Sequence, residues 1–193
     1  MADPDRVARV VEAMKSATDK PVTVKHRIGI DGRESYDDLA DFVSRVSAAN
    51  ADRFIVHARI AILAGLSPKE NRNVPPLRYE DVYRLKADFP SLSIEINGHI
   101  DSLEAIKKHL EQLDGAMIGR AAYDNPYFLA TADRELYGST APVPSRSEIA
   151  EAMIPYVENV TAGGRSPRNV YRHMLGLFAF CPGARRFRRV LSD

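Results

Sequence analysis

Apolar positions along the first 130 residues recur in two alternating periods. Val7, Val10, Val11 and Met14 follow Asp3-Pro4 at helical spacing and predict a capped amphipathic helix. Pro21 to Arg27 reads as a strand. Leu39, Phe42, Val43 and Val46 then predict a helix over Tyr36 to Ala49. The alternation continues with a strand at Arg53 to His57, a helix at Tyr79 to Ala87 and a strand at Leu92 to Ile96. A helix at Leu103 to Leu110, a strand at Gly115 to Ile118 and a short helix at Asn125 to Ala130 complete it. The pattern is α(βα)₄, which predicts parallel strands joined by right-handed crossovers. Four strands are fewer than a doubly wound sheet or a closed barrel uses. A four-stranded parallel array also leaves both edges unpaired, which predicts poor solubility.

The largest gap in this pattern follows Phe54-Ile55-Val56-His57-Ala58-Arg59. About eighteen residues pass before the next helix, including Leu66-Ser67-Pro68-Lys69-Glu70-Asn71-Arg72. A loop that long in a compact domain is usually functional, and this one starts where parallel α/β folds place their chemistry.

A Pro/Ser-rich stretch, Gly138 to Ser147, separates the α/β pattern from a different one. Glu148 to Val160 and Val170 to Phe180 read as helices split by Thr161-Ala162-Gly163-Gly164, and a short helix follows Pro182-Gly183. The implied organisation is an α/β part over 1–137, a linker over 138–147 and a helical unit over 148–193. That last unit is too small to stand alone.

Charge follows the same division. The chain has 193 residues and a net charge of +1. Seven arginines and no carboxylate lie between Arg165 and Ser192. Residues 1–164 hold the other 20 of 27 basic residues and 25 of 26 acidic ones, a balance of −5. A basic tail on an acidic body suits a polyanionic partner, although a solvated helix face would look the same. The single cysteine, Cys181, excludes an internal disulfide and a cysteine zinc cluster. With neither a membrane-length apolar run nor a secretory signal at Met1-Ala2-Asp3-Pro4-Asp5, a soluble cytoplasmic protein is expected.

Polar residues at strand ends carry the candidate chemistry. In Val22-Thr23-Val24-Lys25-His26-Arg27, alternation puts Thr23, Lys25 and Arg27 on one face. Lys25 and Arg27 are then cations at the mouth of a barrel, or ion-pair partners of an inward acid such as Glu95. His57 ends its strand as a ligand contact or as a satisfied core histidine. Asn97-Gly98 is a turn or a ligand cradle. Gly119-Arg120 precedes a helix, an arrangement that favours an anion. If these are the last two strands of a barrel, Asn97-Gly98 and Gly119-Arg120 occupy its phosphate site. There is no GxGxxG, no Walker motif and no Ser-His-Asp elbow.

Taken together, these segments resemble the tRNA-dihydrouridine synthases, most closely the bacterial A-type subfamily. The carriers are Val22 to Asp31 (VTVKHRIGID), Val56-His57-Ala58-Arg59, Gly65 to Arg72 (GLSPKENR), Pro75-Pro76-Leu77, Ile96-Asn97-Gly98 and Met117 to Tyr123 (MIGRAAY). His173 to Leu177 (HMLGL) and Pro182-Gly183-Ala184-Arg185 add to them. The resemblance implies an α/β chain forming the second half of an FMN-binding TIM barrel, followed by a helical tRNA-binding domain. It implies FMN contacts at Lys25, His57, Asn97, Gly98, His99, Gly119 and Arg120, and tRNA contacts at Lys69, Arg72 and Arg185. NADPH would reduce the flavin, and a uridine of the tRNA D-loop would become 5,6-dihydrouridine. No membrane or metal partner is expected, and the full-length protein would be a monomer.

The chain departs from the family in three places. The family's catalytic cysteine precedes the segment that starts here at Met1, so no catalytic residue is assigned, and Cys181 matches the helical part instead. Ile60 stands where the subfamily has lysine, and His99 where the family has a second glycine. The expectation is therefore a fragment of such an enzyme, inactive alone. The alternatives are a non-catalytic RNA-binding remnant, or a different FMN barrel acting on a small pyrimidine.

Overall fold

A computed structural model describes residues 1–193. Asp3 caps α1 (Pro4–Ala17) by accepting a hydrogen bond from the Arg6 amide at 2.9 Å. β1 (Thr23–Ile30) follows. Ser35 and Asp38 close a capping box at the start of α2 (Tyr36–Ser47), which buries Leu39, Phe42, Val43 and Val46. β2 (Arg53–Ala61) leads into the long loop, whose only regular element is a 3₁₀ turn at Glu70–Arg72. α3 (Tyr79–Asp88), β3 (Ile94–Asn97), α4 (Leu103–Leu110) and β4 (Gly115–Met117) complete the α/β pattern.

The four strands form one parallel sheet in chain order, β1-β2-β3-β4. Parallel neighbours in chain order wind in one direction and put their connecting helices on one face. That face is the core, where Phe54, Val56, Ile94 and Ile96 are fully buried, as are Leu39, Val43, Val46, Val82 and Leu85 of the helices. His26 also points there, packed on Phe42 and Phe54 with ring centroids 4.9 and 6.0 Å away. Its Nδ1 donates to the Arg27 carbonyl at 2.7 Å.

The first two strands run past their expected ends because β2 carries an extra residue. Arg27 pairs with His57, but Gly29 pairs with Ile60. This bulge keeps pairing alive as far as Ile30 and Ala61 and lets both Ala58 and Arg59 be buried. Simple alternation does not foresee it.

The chain divides into two compact units. One comprises Met1–Ile100 and Ile106–Ile118, and the other Asp101–Ala105 and Gly119–Asp193. The second is helical. α5 (Arg120–Asp124) begins directly after β4, ahead of the expected short helix, which is a 3₁₀ segment at Pro126–Thr131. α6 (Ala132–Tyr137) follows, and residues 138–145 carry no helix or strand. The helix expected over Glu148 to Val160 is two helices, α7 (Arg146–Ala152) and α8 (Ile154–Ala162). Pro155 has no amide proton to give and starts a new helix at its first turn. The helix expected over Val170 to Phe180 is α9 (Arg168–Met174), after which the chain turns. α10 (Ala184–Ser192) follows Pro182-Gly183.

Candidate functional site

The strand register gathers the polar residues named from the sequence onto the face of the sheet opposite the core. Arg27, His57, Asn97 and Met117 form one row of paired positions, and Lys25, Ile55, Glu95 and Gly115 the row before it. Lys25 Nζ donates to Asn97 Oδ1 at 3.0 Å, and Asn97 Nδ2 donates to the Met117 carbonyl at 2.8 Å. Glu95 is not the partner of Lys25 or Arg27. Its carboxylate is held by Arg53 at 2.7 Å. Lys25 thus keeps its charge against a neutral amide. Partial burial, and secondarily the nearby Arg27, lower its pKa.

Gly98 ends this row in a conformation that requires glycine. Its φ is +126°, and a Cβ there would lie 3.1 Å from Leu77 and 3.7 Å from His57 Nε2. Tyr79 Oη donates to its carbonyl at 2.6 Å and fixes the turn. His99 follows with φ +51°, a left-handed backbone that suits glycine better. His57 is half-buried beside Gly98. In the second unit, Gly119 is exposed, and a Cβ added to it would meet nothing within 4 Å. Arg120 is exposed at the start of α5.

The long loop is tied to the sheet by two guanidinium groups. Arg27 Nη1 donates to the carbonyls of Ile60 and Asn71, both at 2.8 Å. The buried Arg59 donates to the carbonyls of Asn73 and Pro75. Asp31 accepts from the Leu63 amide at 2.8 Å, and the side chains of Ser67 and Glu70 each accept from the other's amide at the start of the 3₁₀ turn. The turn exposes Lys69 and Arg72. Neither Arg27, expected at a barrel mouth or paired with an acid, nor Arg59 was foreseen as a loop anchor, and Arg59 is buried only through the bulge.

In the second unit, α10 exposes Arg185, Arg186, Arg188 and Arg189, while Phe187 packs on Phe178 at 4.5 Å between centroids. Arg146 stacks on Tyr127 and donates to the Leu177 carbonyl. A cleft of about 370 Å³ lies among Ile149, Met153, Tyr156, Val170, His173 and Met174. The i, i+4 pairs Ile149/Met153 and Val170/Met174 were its only signal in the sequence. Cys181 is half-buried in the turn before α10. No group of three or more His, Cys, Asp or Glu side chains is placed to hold a metal ion. No helix is long and apolar enough to cross a membrane.

A family model described as dihydrouridine synthase matches residues 1–193, the whole chain. The chain belongs to the dihydrouridine synthase family. A tRNA-dihydrouridine(20/20a) synthase of Synechocystis is 58% identical over 193 residues, covering all of this chain and 58% of the relative. Proteins of the same name from Pseudomonas syringae and Vibrio parahaemolyticus are 57% and 56% identical, again across the whole chain, with 57% and 60% of their own lengths covered. The chain therefore spans 57–60% of the length of these curated relatives. The match runs through the sheet face, the long loop and the arginine-rich C-terminal helix alike.

Proposed function

We propose that this chain carries the flavin-phosphate half and the RNA-contacting elements of a tRNA-dihydrouridine synthase. In this reading the four βα units are part of an eight-stranded flavin barrel over residues 1–137, and residues 148–193 form a tRNA-binding domain behind the 138–147 linker. The supporting observation is the Lys25–Asn97 pair. Lys25, the third residue of β1, faces away from the core, and the nearest acid in its own register row is already neutralised by Arg53.

These residues fit FMN. The cation of Lys25 suits the electron-rich edge of the isoalloxazine, and His57 lies in the next register row. Gly98, buried in a turn that Tyr79 fixes, would shape the phosphate end with Asn97 and His99. Gly119 and Arg120, which follow β4 in the chain, are the remaining residues that the family resemblance assigns to FMN. When bound, FMN reduced by NADPH supplies the hydride that saturates the uracil ring. Lys25 would hold a positive charge near the flavin and so favour its reduced, anionic form. Lys69, Arg72 and Arg185 contact phosphates of the tRNA, and the cytoplasm is the compartment where that substrate is met. The names of the relatives point to uridines 20 and 20a. We assign no catalytic acid among these residues.

Flavin fluorescence quenching on the purified chain tests this reading. Saturable FMN binding is expected, weakened at least about tenfold by Lys25→Met, the loss of one charge-assisted contact. RNA binding without any flavin binding would favour a non-catalytic RNA-binding protein instead. Equal FMN affinity in both forms would remove Lys25 from the site.

A further inference from the structure

The proposed RNA contacts Lys69 and Arg72 sit on a 3₁₀ turn inside the long loop. Between them lies Asn71, whose half-buried side chain makes three hydrogen bonds. Its Oδ1 accepts from the Ile62 amide at 2.8 Å, and its Nδ2 donates to the carbonyls of Ile62 at 2.7 Å and Leu66 at 3.3 Å. The amide thus satisfies both backbone groups of Ile62, as a paired strand would. The carbonyl of Asn71 accepts from Arg27, which also holds Ile60. One residue therefore fastens the turn to the end of β2 through its side chain and to β1 through its backbone.

We propose that Asn71, anchored by Arg27, is the positioning residue that sets Lys69 and Arg72 for RNA. The inference rests on the reading of this loop as a tRNA contact. Ordering long cationic side chains and their loop costs free energy at the moment of binding, and a loop already ordered avoids that cost. No other side chain of this size supplies one acceptor and two donors in that plane. Asp lacks the donors, and Ser is too short.

The test is a mutant cycle on binding of an unmodified tRNA transcript at fixed salt. Asn71→Ala is expected to weaken binding about fivefold in the native chain. It is expected to add nothing in the Lys69→Ala/Arg72→Ala background, because the cations it positions are gone. Hydrogen exchange should show the Ile62 amide released while Phe54 and Ile96 stay protected. Should Asn71→Ala lose core protection, Arg27→Met cuts the other anchor and serves in the same cycle. An equal loss in both backgrounds, or no loss in the native chain, overturns the positioning role alone. Unchanged binding by the Lys69→Ala/Arg72→Ala variant removes the RNA role of the loop, and the inference falls with it.

Discussion

Gly98 and His26 show how single residues bear on the two faces of the sheet. At φ +126°, Gly98 is in a backbone region closed to L side chains, and a Cβ would press on Leu77 and approach His57. Gly98→Ala is expected to destabilise the chain by about 1–3 kcal/mol and to weaken FMN binding, as read by denaturant melts and flavin titration. On the core face, burial holds the His26 imidazole at a pKa of about 4, against 6.5 when unfolded. A depressed histidine value means that the unfolded chain takes up the proton first. Stability is then full above pH 6.5 and is lost as pH falls towards 4, by about 3 kcal/mol. His109, also lowered by burial, acts in the same direction, and the Asp52 and Glu70 carboxylates, held below their usual range by hydrogen bonds, act at lower pH. Urea melts at pH 7.5, 5.5 and 4.5 should show this decline, and His26→Leu should flatten but not abolish it. An undiminished slope in His26→Leu would mean that His26 is not buried neutral.

At the scale of elements, sequence periodicity found every strand and the helices α1 to α4, though not α5 or α6, because alternation and the 3.6-residue stripe report the same core. It missed what depends on tertiary register. The β2 bulge, the burial of Arg59 and the Arg53–Glu95 pair follow from how strands align, which no local window contains. Lys25, His57 and Asn97 were legible because they end apolar runs, but the Lys25–Asn97 bond joins residues 72 apart in the chain. In the second unit, periodicity ran through two interruptions. Pro155 splits one helix, and Gly176 ends another in a tight approach, where a Cβ would lie 2.5 Å from the Asp124 carbonyl. Gly176→Ala is expected to destabilise this helical unit by about 1–3 kcal/mol, visible as a lowered thermal midpoint. No change would show that the α9 turn does not pack on that backbone.

For the molecule as a whole, the division of charge is the property that composition states most plainly. Seven arginines and no carboxylate lie between Arg165 and Ser192, in a chain whose first 164 residues are acidic. If Arg185 and its neighbours meet phosphates, tRNA affinity falls steeply with salt, and Arg185→Ala with Arg186→Ala lowers both the affinity and the salt slope. A slope unchanged by the pair would move the RNA contact off α10. The sheet face, the loop and this helix together match one family across all 193 residues. The measurement that bears most directly on the proposed function is FMN titration of the purified chain beside its Lys25→Met variant. The expected result is saturable quenching of flavin fluorescence, weakened at least about tenfold by the substitution. Absence of saturable binding, or the same affinity in both proteins, would contradict it.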